Sequence, residues 1–178
     1  MIIYLIGMPG CGKSTLGKKL SERLGYNFID MDQYIEREAC MFIDEIFDAY
    51  GEEFFRALET NTLKSLSECE NTVISTGGGI IKNKLHKEIM ANGKCIYLEV
   101  PVEELEKRVE GSLEVRPLLQ TKTLGELYLE RKDLYEYFSI FFNACSLLAI
   151  VTFLDIKYSI SCSLFLYSFN VTSKLYKK

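Results

Sequence analysis

Eight consecutive residues near the start carry the clearest chemistry in the chain. Gly7-Met8-Pro9-Gly10-Cys11-Gly12-Lys13-Ser14 fits the spacing G-x-x-x-x-G-K-[ST] without a mismatch, and Thr15 follows. Glycines let the backbone turn so that successive N–H groups point inward, an arrangement that suits phosphate oxygens. A helix starting near Lys13 would add the positive end of its dipole. The Lys13 ammonium can reach β- and γ-phosphates, and the Ser14 hydroxyl can ligate Mg²⁺. The bland alternative is a glycine-rich turn that happens to precede a helix. The motif requires a strand before it and a helix after it, and the sequence predicts both. By itself it points to a nucleoside triphosphate and to no particular reaction.

Four further groups of residues could narrow the chemistry. Asp30 and Asp32 stand two apart at the end of a predicted strand, where a parallel sheet borders its ligand crevice. One carboxylate could hold Mg²⁺ through water while the other accepts a proton from an attacking hydroxyl. The alternative is a helix cap plus a solvated turn aspartate. Arg56 and Glu59 stand three apart, which on a helix reads as a surface ion pair worth a few tenths of a kcal/mol. Gly77-Gly78-Gly79 follows another predicted strand. Three glycines cost backbone entropy, and they permit close ligand approach through backbone N–H groups. Arg116 precedes Pro117-Leu118-Leu119 in an irregular segment, where one cation on a lid could neutralise charge during phosphoryl transfer. Arg131 lies on the following helix, and alone it reads as a solvated arginine.

The elements that must position these residues alternate between strand and helix. Ile2 to Ile6 is a short apolar run, predicted as a buried parallel strand. Leu16, Leu20 and Leu24 recur every four residues ahead of Gly25, predicting a helix with a glycine C-cap. Phe28 to Met31 predicts a second strand, after which Asp32 can cap a helix. Ile43, Ile46 and Phe47 predict a helix that stops at Gly51, and Phe55, Leu58, Leu63 and Leu66 another from about Glu52 to Cys69. Thr72 to Ser75 and Lys94 to Val100 predict two more strands. Leu105 falls in a helix after Pro101, residues 111–123 read as a loop, and Leu124, Leu127, Leu134 and Tyr135 belong to a last helix. Such alternation predicts an α/β fold with a mostly parallel sheet flanked by helices in three layers.

Composition sets limits on the function. The chain has 178 residues and a net charge of −4, with no block of Lys or Arg, so no nucleic-acid partner is expected. The six cysteines form no CxxC pair and read as reduced cytosolic thiols, which makes the expected location cytoplasmic. His86, the single histidine, has no partner visible in the sequence. The opening MIIYLIGMPGCGKST has no basic n-region and reads as a strand, not as a signal peptide.

Taken in order and spacing, GMPGCGKST, FIDMD, GEEFFRALE, STGGG, VRPLL and ERKDLY resemble shikimate kinase, over residues 1–138. The resemblance implies a P-loop kinase of the nucleoside-monophosphate-kinase type, with a five-stranded parallel sheet and a lid. It implies ATP-dependent phosphorylation of shikimate to shikimate 3-phosphate, a step towards chorismate and the aromatic amino acids, with Mg²⁺ as cofactor. By resemblance Gly10, Cys11, Gly12, Lys13, Ser14 and Thr15 hold ATP, joined by Arg108 against the adenine and by the lid residue Arg116. Ser14 and Asp30 serve Mg²⁺. Asp32, Arg56, Gly77, Gly78, Gly79 and Arg131 bind shikimate, and Asp32, Lys13 and Arg116 are the catalytic residues. A monomer is expected. A gluconate-type kinase of the same fold would not require FRxxE, the triple glycine and the later arginine together.

The last 40 residues depart from that pattern. They contain no Gly, Pro, Glu, Gln or Arg, and Asp155 is their only acid. With four Lys they carry +3, leaving −7 on residues 1–138. Leu147 to Leu154 could be the fifth strand of the same domain. Phe138 to Leu154 is 17 residues without a charge, yet short of the roughly 20 that a spanning helix needs, so no membrane association is expected. The composition favours a third reading, a tail translated out of the ancestral frame. The alternative to an active kinase is accordingly a nucleotide-binding remnant or a tail-anchored protein with impaired turnover.

Overall fold

The computed structural model of the protein describes residues 1–110 and 122–139. Arg116, most of the expected lid and the expected fifth strand lie outside the described residues. Strands β1 (Ile2–Ile6), β2 (Asn27–Asp30), β3 (Thr72–Ser75) and β4 (Lys94–Tyr97) alternate with helices α1 (Lys13–Leu24), α2 (Met31–Ala39), α3 (Ile43–Leu66), α4 (Lys84–Ile89), α5 (Val102–Glu110) and α6 (Leu124–Phe138). All described strand pairs are parallel, in the order β2-β3-β1-β4.

That order creates the crevice. The chain leaves β1 and passes β3 to reach β2, and it leaves β3 and passes β1 to reach β4. The two crossovers therefore diverge between β1 and β3, where open α/β sheets bind ligands beyond the strand ends. The register aligns those ends, since Leu5 pairs with Ser75 and Ser75 with Asp30. The phosphate-loop motif, Asp30 and the triple glycine thus emerge at one edge. β1 is buried along its whole length, as expected of a parallel strand covered on both faces.

Local signals placed most elements and misplaced some ends. Gly25 caps α1 in the left-handed conformation at φ 65°. Gly51 breaks α3 at φ 81°, where the stripe before it was expected to stop. β4 ends at Tyr97 instead of Val100, and α3 ends at Leu66 instead of Cys69. α4 and the 3₁₀ turns on either side of it carry no apolar period and escape pattern reading. The cap of α2 is Asp30, whose carboxylate accepts from the Gln33 N–H, and Asp32 already lies in the first helical turn. The helix thus starts two residues earlier than a cap at Asp32 implies.

Gly17 on α1 shows how closely helix and sheet approach. A Cβ there would lie 2.5 Å from Cε2 of Phe28 and 3.2 Å from Cδ1 of Leu5. Alanine is the better helix former by about 1 kcal/mol, but overpacking against a ring typically costs about 1–3 kcal/mol. Gly17→Ala is expected to lower stability, read as a lower urea midpoint with an unchanged slope; a midpoint at or above wild type would mean that α1 can slide away from β2.

Candidate active site

The phosphate loop is built as its residue types require. Gly10 and Gly12 both have positive φ, 80° and 92°, and Gly12 is the N-cap of α1. Lys13 is nearly buried, and its ammonium donates to the carbonyls of Gly7 at 3.0 Å and Met8 at 3.1 Å. Cys11 turns its side chain into the fold, with Sγ 3.7 Å from that ammonium. Thr15 is exposed at the start of α1. Arg108 of α5 returns over the loop, with Nη1 3.4 Å from the Gly10 carbonyl and Nη2 on Glu104.

Beside the loop, oxygens from the first turn of α1 and from the ends of β2 and β3 converge. The Ser14 hydroxyl donates to Asp30 Oδ2 at 2.5 Å and lies 3.3 Å from Ser75 Oγ. Hard oxygen donors of this kind fit Mg²⁺, which keeps several of its ligands from phosphate and water. Among the described residues no three His, Cys, Asp or Glu side chains gather around a metal-sized point. So few protein donors would suit an ion that brings most of its ligands with it.

The triple glycine proves to be a close-packing device. A Cβ on Gly77 would lie 2.7 Å from Asp32 Oδ1, one on Gly78 3.1 Å from the Pro9 ring, and one on Gly79 2.5 Å from Arg56 Nη1. Side chains from the phosphate loop, α2 and α3 thus rest directly on this backbone. From the opposite side α6 grips it, for Arg131 Nη1 and the Tyr135 hydroxyl both donate to the Gly78 carbonyl, at 3.0 and 2.6 Å.

Arg56 is not on the surface. It pairs with Glu59 at 2.9 Å and with Glu52 at 3.0 Å, and the Glu59 side chain is 1% exposed. Burial alone would weaken the guanidinium's hold on its proton, but Glu59 and Glu52 outweigh that and strengthen it. Lys82 also donates to Glu52, at 2.6 Å, and that bond foremost, against the opposing effect of burial, holds Glu52 below the usual carboxylate range. Asp32 is half-buried among carboxylates. Burial, then Asp30 and Glu59, push its pKa up to about 7, with Lys13 working the other way.

One cleft of about 830 Å³ is lined by Gly10, Gly12, Lys13, Ser14, Thr15, Asp30, Asp32, Arg56, Gly77, Gly78, Gly79, Arg108 and Arg131. Of the residues singled out in the sequence, Cys11 lies behind its wall and Arg116 outside the described residues. A family model described as shikimate kinase matches residues 9–149, past the compositional seam at 138. The chain belongs to the shikimate kinase family. Relatives agree: the shikimate kinase of Clostridium botulinum is 48% identical over 139 residues, 75% of this chain and 82% of that one. Among solved structures, shikimate kinase from Acinetobacter baumannii in complex with shikimate matches with a TM-score of 0.80 at 33% identity, covering 90% of this chain and 95% of that one. Shikimate kinase from Aquifex aeolicus matches with a TM-score of 0.73 at 35% identity, covering 88% and 95%.

Two features of this family member were missed in the sequence. Tyr135 stands four residues after Arg131, the helical spacing that lets both reach one acceptor, but it was read only as part of an apolar stripe. Glu59 was read as a surface partner of Arg56, and nothing local announces its burial.

The raised pKa of Asp32 has a consequence for stability. An unfolded aspartate releases its proton near 3.8, and folded Asp32 keeps it to about 7. Folded protein binds the extra proton between those values, so the contribution of Asp32 to stability falls as pH rises from about 4 to 7 and is flat outside that window. Asp32→Asn removes this loss. It is expected to stabilise the ligand-free protein most above pH 7, by at most about 4 kcal/mol, and not at all below about pH 4, read as a higher thermal midpoint only at the higher pH. A gain that does not change with pH would contradict the assignment.

Proposed function

We propose that the chain transfers the γ-phosphoryl group of ATP to a hydroxyl of shikimate, giving shikimate 3-phosphate and ADP. The observation that carries this reading is the shared cleft. A phosphate loop with Lys13, Ser14 and Asp30 opens into the same space as Asp32, Arg56, Arg131 and the glycine backbone. Shikimate is small, anionic and rich in hydroxyls, and this site offers arginines for a carboxylate and a carboxylate for a hydroxyl. A remnant that only binds nucleotide would have no need of the second half. The solved relative from Acinetobacter baumannii holds shikimate itself.

Each residue then has a task. Lys13 must turn from the carbonyls of Gly7 and Met8 toward the β- and γ-phosphates. Ser14 and Asp30 would hold Mg²⁺, which when bound neutralises phosphate charge and orients the triphosphate. Asp32 accepts the proton of the attacking hydroxyl, and a pKa near 7 puts that group close to its working pH. Arg56 and Arg131 hold the substrate carboxylate. Arg131 gives Nη1 to Gly78, and a guanidinium has five N–H donors in all, so enough remain for a bidentate grip. Arg108 lies over the phosphate loop where the nucleotide base would leave it, and Arg116 is assigned to the lid.

Steady-state kinetics test the division of labour. Lys13→Met is expected to abolish turnover with an unchanged circular dichroism spectrum, because it removes charge at the transferring phosphate. Asp32→Asn is expected to lower kcat by roughly 10²–10⁴. Arg131→Ala is expected to raise the KM for shikimate by about 10- to 150-fold, the loss of a charged hydrogen bond, and that for ATP less than about threefold. Equal losses for both substrates, or equal turnover of an analogue lacking the carboxylate, would overturn the reading.

A further inference from the structure

His86 is the chain's single histidine and is fully buried. It belongs to α4, which contributes nothing to the lining of the cleft. Both ring nitrogens are nevertheless engaged. Nδ1 lies 2.7 Å from the Ile80 carbonyl, and Nε2 lies 2.7 Å from Thr60 Oγ1. A carbonyl only accepts, so Nδ1 carries a proton and donates. The Thr60 hydroxyl stands between the ring and the Arg56 carbonyl, 2.8 Å away, with its one proton in reach of both.

The two ends of this string are neighbours in the site. Ile80 follows Gly79, and Gly79 is the residue against which the Arg56 guanidinium rests, close enough that a Cβ would lie 2.5 Å from Nη1. The backbone of Arg56 is thus tied, through Thr60 and His86, to the segment that its own side chain touches. Among the described residues the other hydrogen bond from α3 to this segment is that of Glu52 with Lys82.

We infer that His86 and Thr60 are positioning residues, which fix the gap between α3 and the glycine segment and so the aim of Arg56 at the substrate carboxylate. The inference rests on the reading of Arg56 as a carboxylate ligand given above. Neither residue touches substrate. Their effect belongs to binding geometry, where an error of about 1 Å is enough to matter, and it should fall on shikimate and spare ATP.

The test compares His86→Ala, His86→Asn and Thr60→Val with wild type. An asparagine amide nitrogen takes roughly the place of Nδ1 and can donate to Ile80, and Thr60→Val removes the hydroxyl at nearly constant shape. His86→Ala is expected to raise the KM for shikimate about 5- to 20-fold with the KM for ATP within twofold and kcat within about threefold. Thr60→Val is expected to raise the same KM about three- to fivefold, and His86→Asn to recover most of the loss seen with alanine. Amide hydrogen exchange on the ligand-free proteins is expected to quicken in His86→Ala over residues 77–82 and not in β1. Parallel rises in both KM values, asparagine no better than alanine, or exchange that quickens everywhere or nowhere would overturn the assignment. Failure of the wild-type chain to phosphorylate shikimate would sink the reading of the site instead, and the exchange rates would then decide the tie by themselves.

Discussion

Glu59 is a carboxylate with almost no contact with water, and the Arg56 guanidinium is what makes that tolerable. Taking one partner from a buried ion pair typically costs about 3–5 kcal/mol, because the other charge is left without compensation. The pair therefore has to stay together, and the surroundings conform to it. Arg56 cannot swing out, so the backbone opposite must come close without side chains, and Gly79 answers that need. Glu59 in turn sits beside Gly77 and Asp32, and its charge helps to hold Asp32 near neutrality of pH. One buried pair thus shapes the half of the cleft around the glycine segment and adds, after burial and Asp30, to the proton affinity of Asp32. It also leaves a residue of dissatisfaction, since Glu59 Oε1 has no hydrogen-bond partner among the described residues.

The other half of the cleft depends on strand register more than on charge. Ser14, Asp30 and Ser75 come from three different segments and meet only because β1, β2 and β3 end level with one another. β1 and β3, buried throughout, have little freedom to slip, because any shift would put polar ends into the core. α6 closes the arrangement from its own side, with Arg131 and Tyr135 on successive turns gripping a single carbonyl.

Much of this was legible in the sequence, and the boundary is physical. The phosphate loop could be read because its chemistry is local: glycines, a lysine and a hydroxyl within eight residues, flanked by a strand and a helix. The sheet could be read because β1 is apolar throughout. Asp30 and Asp32 were found as a pair, but their division of labour depends on the residue at which α2 begins, and capping signals do not settle that to one position. Arg56 and Glu59 at helical spacing give the same pattern on a surface and in an interior; only tertiary packing distinguishes the two. The triple glycine reads in the sequence as an opening for ligand backbone contacts; in the structure it lines the cleft and is also approached closely by Asp32, Pro9 and Arg56, which no local signal announces. His86 gave no sign at all, because both of its partners, Thr60 and Ile80, are distant or backbone groups.

The posture of Lys13 bears on which anions this loop will hold. Its ammonium is already satisfied by two carbonyls of the loop it serves. An incoming anion that takes over the ammonium N–H groups displaces the two carbonyls, so part of its attraction is offset by the bonds given up. A chain of phosphates brings oxygens to the amide cradle, to the end of α1 and to Lys13 together, so each contact supports the others. The loop thus grades its ligands by valency. A single phosphate meets the same exchange at Lys13 with fewer companion contacts to offset it.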